Sequence, residues 1–179
     1  LSVYGLSGAG DLLWQDPLGI GVEAISIYGS KENARAVVGD DGGHITIYSR
    51  TGQVLLTTAV DYGVKSLDVT SNGARILAGM INGTAILLNG ANGNELWQFE
   101  TEGLIYDAAL ASDGSAALVG SDDSNAYLLD GDGKLIQQFA QESPALSVDL
   151  SADGNTLVIG TEDGVGRLFD REAALSEVS

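Results

Sequence analysis

The sequence predicts an all-β chain in which one four-stranded antiparallel sheet is copied in tandem, and three observations lead there. First, a short apolar run closes on glycine four times, as Ala36-Val37-Val38-Gly39, Ile76-Leu77-Ala78-Gly79, Ala117-Leu118-Val119-Gly120 and Leu157-Val158-Ile159-Gly160. These glycines stand 40, 41 and 40 residues apart, a period that marks one supersecondary unit burying its faces against its neighbours. Second, glycine is abundant (25 residues) and proline scarce (2), which suits many short strands joined by tight turns. Third, no segment shows a convincing 3.6-residue amphipathic pattern, which excludes a helical crossover architecture.

Residues 64–101 show the unit most plainly. Val64–Val69 alternates as a strand and ends at Ser71-Asn72-Gly73, a turn whose Asn-Gly pair tolerates positive φ. Arg75–Met80 follows, apolar on successive residues and therefore buried on both faces. Asn82-Gly83 turns the chain into Ala85–Leu88, and Gly90-Ala91-Asn92-Gly93 turns it into Glu95–Phe99. First strands recur as Ala24–Ile27, Ser66–Val69, Asp107–Leu110 and Ser147–Leu150, and the glycines before the fourth strands as Gly10, Gly52, Gly93 and Gly133. In the last copy Asp170-Arg171-Glu172-Ala173 replaces that glycine turn, ahead of a final strand over Ala174–Val178.

A lone sheet with two apolar faces is not stable in water. Burying a single Leu or Val contributes roughly 1.5–3 kcal/mol, so the copies stack face to face. Radial stacking of four-stranded sheets is the β-propeller. The expected organisation is one domain over 1–179, with a half blade at 1–17 and blades at about 22–60, 64–101, 105–140 and 145–179. The half blade supplies only third and fourth strands, Ser2–Leu6 and Leu12–Gln15. Its inner pair is missing, so either further blades of the same polypeptide or a protein partner completes it.

Charge and composition exclude several functions. Eight basic residues face 25 acidic ones, a net charge of −17, and no basic cluster offsets it, so nucleic acid is not a partner. Cysteine is absent, ruling out disulfides and thiolate metal sites. Apolar runs of four to six residues are too short to form a transmembrane helix. The opening LSVYGLSGAGDLLWQ lacks the basic start and apolar core of a signal peptide and reads as two strands, as expected of a mature or excised piece. Such an acidic surface fits a secreted or cell-surface domain, a saline habitat, or bound divalent cations.

Residues 148–170, VDLSADGNTLVIGTEDGVGRLFD, resemble a WD-repeat core, and 108–130 repeat it more loosely. NGANGNELWQFET (89–101) and SGAGDLLWQ (7–15) are similar to the repeat of pyrroloquinoline quinone (PQQ)-like propellers, with a glycine four residues ahead of a tryptophan. Gly10/Trp14 and Gly93/Trp97 match; Leu56 and Gln137 depart. The resemblance spans the chain and implies a propeller, a fold that hosts unrelated activities. The Gly-His and Trp-Asp pairs of WD repeats are missing, since His44 after Gly43 opens a third strand. The vicinal cysteines that several quinoprotein dehydrogenases set against their cofactor are absent too, so no cofactor-binding residue is carried over.

Acidic turns are the candidate sites. Asp40 and Asp41, Asp122 and Asp123, and Glu162 and Asp163 occupy equivalent loops between second and third strands and would ring one face. Oxygen-rich loops suit Ca²⁺, yet Asp, Asn and Gly are also what tight turns require, and the Asn82-Gly83 copy carries no acid. Asp130-Gly131-Asp132-Gly133-Lys134 opens like a calcium loop but puts Lys134 where a third ligand belongs. His44 is the only histidine, so neither a zinc site nor a Ser-His-acid triad can be assembled. Nothing singles out a carboxylate pair for glycoside hydrolysis.

Trp14 and Trp97 hold equivalent places, as expected for packing between sheets. Val3, Tyr4, Leu6, Leu12, Leu13 and Trp14 form the expected interface of the half blade. The resulting expectation is a noncatalytic scaffold or recognition module outside the cell, with no catalytic residues and no cofactor beyond the Ca²⁺ alternative. The alternatives are a subunit of an extracellular filament or surface layer, homo-oligomeric by strand complementation, and a fragment of a quinoprotein-type dehydrogenase.

Overall fold

The computed structural model describes residues 1–171, and the strand expected over Ala174–Val178 lies outside the described residues. The described part is a series of antiparallel sheets in chain order. β1 (Ser2–Leu6) and β2 (Leu12–Pro17) pair with each other as a half sheet. The first full sheet comprises β3 (Val22–Tyr28), β4 (Arg35–Asp40), β5 (His44–Ser49) and β6 (Val54–Ala59). The second comprises β7 (Val64–Val69), β8 (Arg75–Met80), β9 (Thr84–Asn89) and β10 (Glu95–Glu100). The third comprises β11 (Ile105–Leu110), β12 (Ala116–Ser121), β13 (Asn125–Asp130) and β14 (Leu135–Ala140). The fourth contains β15 (Ala145–Leu150), β16 (Thr156–Thr161) and β17 (Gly166–Asp170) among the described residues. The irregular turn at Gly29–Asn33 contains a single 3₁₀ turn, Lys31–Asn33.

Each sheet is a propeller blade, and the hydrophobic core lies between blades. Val37, Ile45 and Ile47 of the first pack on Leu67, Val69, Ile76 and Ala78 of the second. Leu77 and Leu87 of the second meet Ala108, Leu110 and Val119 of the third. Leu118 and Leu128 of the third meet Val148, Leu150, Leu157 and Ile159 of the fourth. Central strands are therefore apolar on both faces, as continuous buried runs require.

β3, β11 and β15 start two residues earlier than the sequence implies, and every first strand, β7 included, contains a bulge. Register shifts fall between Val22/Ala24, Val64/Ser66, Ile105/Asp107 and Ala145/Ser147. One extra residue leaves the ladder in every copy: Glu23, Lys65, Tyr106 and Leu146. A second bulge recurs where third strands meet fourth strands, at Gly5/Leu6, Ile47/Tyr48, Glu95/Trp97 and Leu128/Leu129.

The tryptophans join successive sheets. Trp14 Nε1 donates to the Arg50 carbonyl at 2.9 Å, and Trp97 Nε1 donates to the Gly131 carbonyl at 3.2 Å. Each ring lies on a turn glycine of the next sheet: a Cβ at Gly52 or Gly133 would come within 2.6 Å of it. Both glycines also have φ of +81°, so only glycine suits the turn and the ring together.

Candidate functional site

Each acidic loop lies beside the connection that leads into its blade's first strand. Asp41, Asp122 and Glu162 donate their backbone N–H groups to Gly21, Leu104 and Pro144, and Ile81 of the acid-free copy donates to Gly63. The carboxylates of Asp40, Asp122, Asp123 and Asp163, however, are engaged within their own blades or on an adjacent connection. Asp40 is buried, and its Oδ1 accepts the N–H groups of Gly42 and His44 at 2.9 Å, with His44 Nδ1 at 3.2 Å. Asp123 Oδ1 accepts Asn125 N–H at 3.0 Å, while Oδ2 accepts the Tyr127 hydroxyl at 2.8 Å and Glu102 N–H at 2.9 Å. Asp163 Oδ1 accepts the Thr161 hydroxyl at 2.5 Å, which holds its carboxyl below the ordinary range. Asp122 accepts the Tyr106 hydroxyl at 3.2 Å, and that bond pushes the Tyr106 phenol up. Among the described residues, no three acidic or histidine side chains are grouped to hold a metal ion. Carboxylates capping the N–H two residues ahead are what such turns use to close.

A second polar system runs along the first strands, which lie side by side from β3 through β7 and β11 to β15. Asp107 is its centre. Its Oδ1 accepts the Ser66 hydroxyl of the preceding blade at 3.0 Å, and its Oδ2 accepts the Ser147 hydroxyl of the following blade at 3.2 Å. Side chains also cap the next blade's backbone: Ser66 Oγ accepts Ala108 N–H at 3.0 Å, Asp68 Oδ2 accepts Leu110 N–H at 2.7 Å, and Asp107 Oδ2 accepts Val148 N–H at 3.0 Å. First strands are sheet edges with unpaired N–H groups, and this ladder satisfies those of Ala108, Leu110 and Val148. Burial pushes the Asp68 carboxyl up, opposed by its two backbone bonds and reinforced by Asp149 and Asp107.

The ends of the series form a third candidate. Ile25 and Ile27 sit in the register of Ala108 and Leu110: Ile25 opposes Val38 as Ala108 opposes Val119, and Ile27 opposes Ala36 as Leu110 opposes Ala117. Ala108 and Leu110 are buried, whereas Ile25 and Ile27 are 64% and 71% exposed. At the far end Leu168 is 75% exposed, although its equivalents Ile47, Leu87 and Leu128 are buried. Val158, equivalent to the buried Val37, Leu77 and Leu118, is 38% exposed.

The six residues expected at the half-blade interface divide three ways. Val3 and Trp14 face the chain's own first blade, where Val3 is buried with Val38 and Tyr48, and Trp14 stacks on Tyr48 at 5.5 Å. Tyr48 donates to Asp16 at 2.8 Å; burial, then this bond, pushes its phenol well up. Leu12 and Leu13 are exposed, but so are Val54 and Leu135, and Leu55 and Leu96, at the same repeat positions. Those two belong to the rim of every blade. Tyr4 and Leu6 are exposed where Thr46, Ile86 and Tyr127, and Tyr48, Leu88 and Leu129, are buried, so they remain as uncovered face. Sequence reasoning missed Ile25 and Ile27. The signal was present in the alternation of Ala24–Ile27 set beside three copies that do have a preceding inner strand pair.

These features define a β-propeller-type protein of PQQ-like repeats. The chain belongs to the family described as outer membrane protein assembly factor BamB, whose model matches residues 2–154. Among solved structures, the crystal structure of the computationally designed Ika4 protein is similar, with a TM-score of 0.71 at 21% identity, covering 87% of this chain and 94% of that one. At that identity the likeness concerns the fold alone. No curated protein matches.

Proposed function

We propose that this chain is a noncatalytic protein-recognition module of a secreted or cell-surface assembly. The observation that carries the reading is the pair of uncovered blade faces, Ile25 with Ile27 at one end and Val158 with Leu168 at the other. Exposed apolar positions that are buried in every other copy of the same repeat mark association surfaces. The family's description as an outer membrane protein assembly factor agrees with a role in protein assembly. Screening the purified chain against ester, glycoside and alcohol–dye substrates tests the noncatalytic part. No turnover is expected, and robust turnover abolished by one point substitution would overturn it.

Head-to-tail association into an extracellular filament or surface layer is a second reading, supported by complementarity of the ends. Leu168 is equivalent to side chains that cover the next blade's third strand, and Tyr4 and Leu6 are such a third strand left bare. A contact of this kind closes into a ring or propagates as a filament. Light scattering over a concentration series separates the readings: growth abolished by Leu168→Asp favours the filament, and a constant monomer mass rejects it.

A further inference from the structure

We propose that the cavity between the first and second full blades binds a phenol group, carried by a tyrosine side chain of a partner polypeptide or by a small phenolic molecule. The site lies away from the exposed blade faces, so the inference goes beyond the protein-recognition reading and does not depend on it. Its basis is a comparison of successive junctions. Between the second and third blades, Tyr127 packs on Phe99 with ring centroids 5.3 Å apart and donates its hydroxyl to Asp123 Oδ2 at 2.8 Å. Between the half sheet and the first blade, Tyr48 stacks on Trp14 and donates to Asp16 at 2.8 Å. The junction between them has no such pair. Register puts Leu56, Thr58 and Ile86 there, in the places of Trp97, Phe99 and Tyr127. All three are smaller, and a cavity of about 380 Å³ opens at this junction, within the size range of small-molecule sites.

The lining specifies a flat apolar body with one hydroxyl donor. Met80, Ile86 and Leu88, all buried, give the cavity an apolar floor. Tyr62, 50% exposed, lines it too and offers a ring against which a second aromatic ring can stack. Asp61 and Glu100 bring carboxylate acceptors to its polar side, and neither enters an ion pair among the described residues. Asn82 stands where the third blade has Asp123, but it is committed within its own loop: Oδ1 accepts Thr84 N–H at 3.2 Å and Nδ2 donates to Thr84 Oγ1 at 2.8 Å. The carboxylates are therefore the acceptors that remain. A phenol is neutral at pH 7 and brings a single donor to them, which repeats the tyrosine–carboxylate pairing of the flanking junctions. A metal ion does not suit the site, since no three acidic or histidine side chains among the described residues are grouped to hold one.

The test is a nuclear magnetic resonance titration of the full chain with p-cresol, with toluene as the same ring lacking the hydroxyl. Saturable shifts of the Ile86, Leu88 and Glu100 amides are expected with p-cresol, and toluene should bind about tenfold more weakly through loss of the donor to a carboxylate. N-acetyltyrosinamide distinguishes the sources: binding as tight as that of p-cresol indicates a tyrosine side chain, and much weaker binding indicates a free phenol. Ile86→Tyr should fill the cavity as Tyr127 fills its own junction and abolish p-cresol binding. Should that variant fail to fold, Asp61→Asn with Glu100→Gln alters only exposed side chains and should weaken binding roughly three- to tenfold. Tyr62→Ala should weaken it about two- to tenfold through loss of stacking. No saturable shift at these amides overturns the proposal, as do shifts confined to the separate cavity beside Asp16 and His44. Equal binding of toluene, or affinity unchanged by Asp61→Asn with Glu100→Gln, overturns it as well. Tighter binding by Tyr62→Ala would show that Tyr62 itself occupies the cavity and would overturn it equally.

Discussion

Leu87 and Leu168 hold the same place in the repeat, on third strands two blades apart, and live in opposite environments. Leu87 is fully buried against the third blade, while Leu168 is 75% exposed. Leu110 and Ile27 make the same contrast at first strands. The repeat thus dictates which side chains point along the stack, but burial depends on whether a neighbouring blade is there to receive them. Identical patterning gives core in the middle and recognition surface at the ends.

Truncation sharpens the contrast most. Leu87→Ala should cost about 2–5 kcal/mol by transfer and cavity terms, and Leu168→Ala should fall within about 0.5 kcal/mol of the parent; urea denaturation of both variants reads the difference. Equal losses would mean that the fourth blade's outer face is covered. Next in size is the ladder. Asp107→Ala removes the acceptor of two hydroxyls and two backbone N–H groups and should cost about 1–3 kcal/mol. Asp149→Ala loses, among the described residues, only the bond to Leu150 N–H within its own strand and should change little. A large effect at Asp149 would show that its carboxylate already serves a further blade.

The tryptophans provide a smaller, local version. Trp97→Phe forfeits the bond to Gly131 and should lower global stability by about 0.5–1.5 kcal/mol. Trp14→Phe forfeits the bond to Arg50 and should instead loosen only β1–β2, seen as faster proteolysis within residues 1–17 with an unchanged main melt. The smallest effect is in pH. Burial raises the Asp68 carboxyl above its ordinary value of 3.8, so the folded state holds that proton more tightly. Asp68 therefore lowers stability as pH rises from the ordinary carboxylate value through its raised folded value. Asp163, lowered by its bond to Thr161, acts with the opposite sign and loses its contribution as pH falls through its folded value. Melting temperatures of parent and Asp68→Asn from acid to neutral pH should show the parent losing ground with rising pH. Parallel curves would remove Asp68 from the account.

The blades were legible because glycine turns and apolar runs recur at one period, and the strands built on Arg75–Met80 and Ser2–Leu6 fall where the pattern puts them. The recurring bulges were not, since a residue that leaves the ladder, such as Lys65, looks in sequence like one more alternating position. Lys65 is thereby turned toward Glu23, to which it donates at 2.8 Å. At the half sheet, Val3, Tyr4 and Leu6 alternate without revealing which face meets the chain's own next blade. Only the pairing of Val3 with Asp16, and of Asp16 with Tyr48, distinguishes inward from outward. The Asp107 ladder was invisible for a related reason: Ser66, Asp107 and Ser147 are ordinary polar residues until three first strands are brought side by side.

Residue-resolved amide hydrogen exchange under native conditions tests most directly whether the ends are uncovered copies of the interior junctions. Ala108, Leu110 and Val148 N–H groups, each capped by a side chain of the preceding blade, should exchange only through large-scale opening. Ile25 and Ile27 N–H groups, at the same register positions, should exchange orders of magnitude faster. Equal protection at all five would contradict the account, because it would mean that the entry end is already closed.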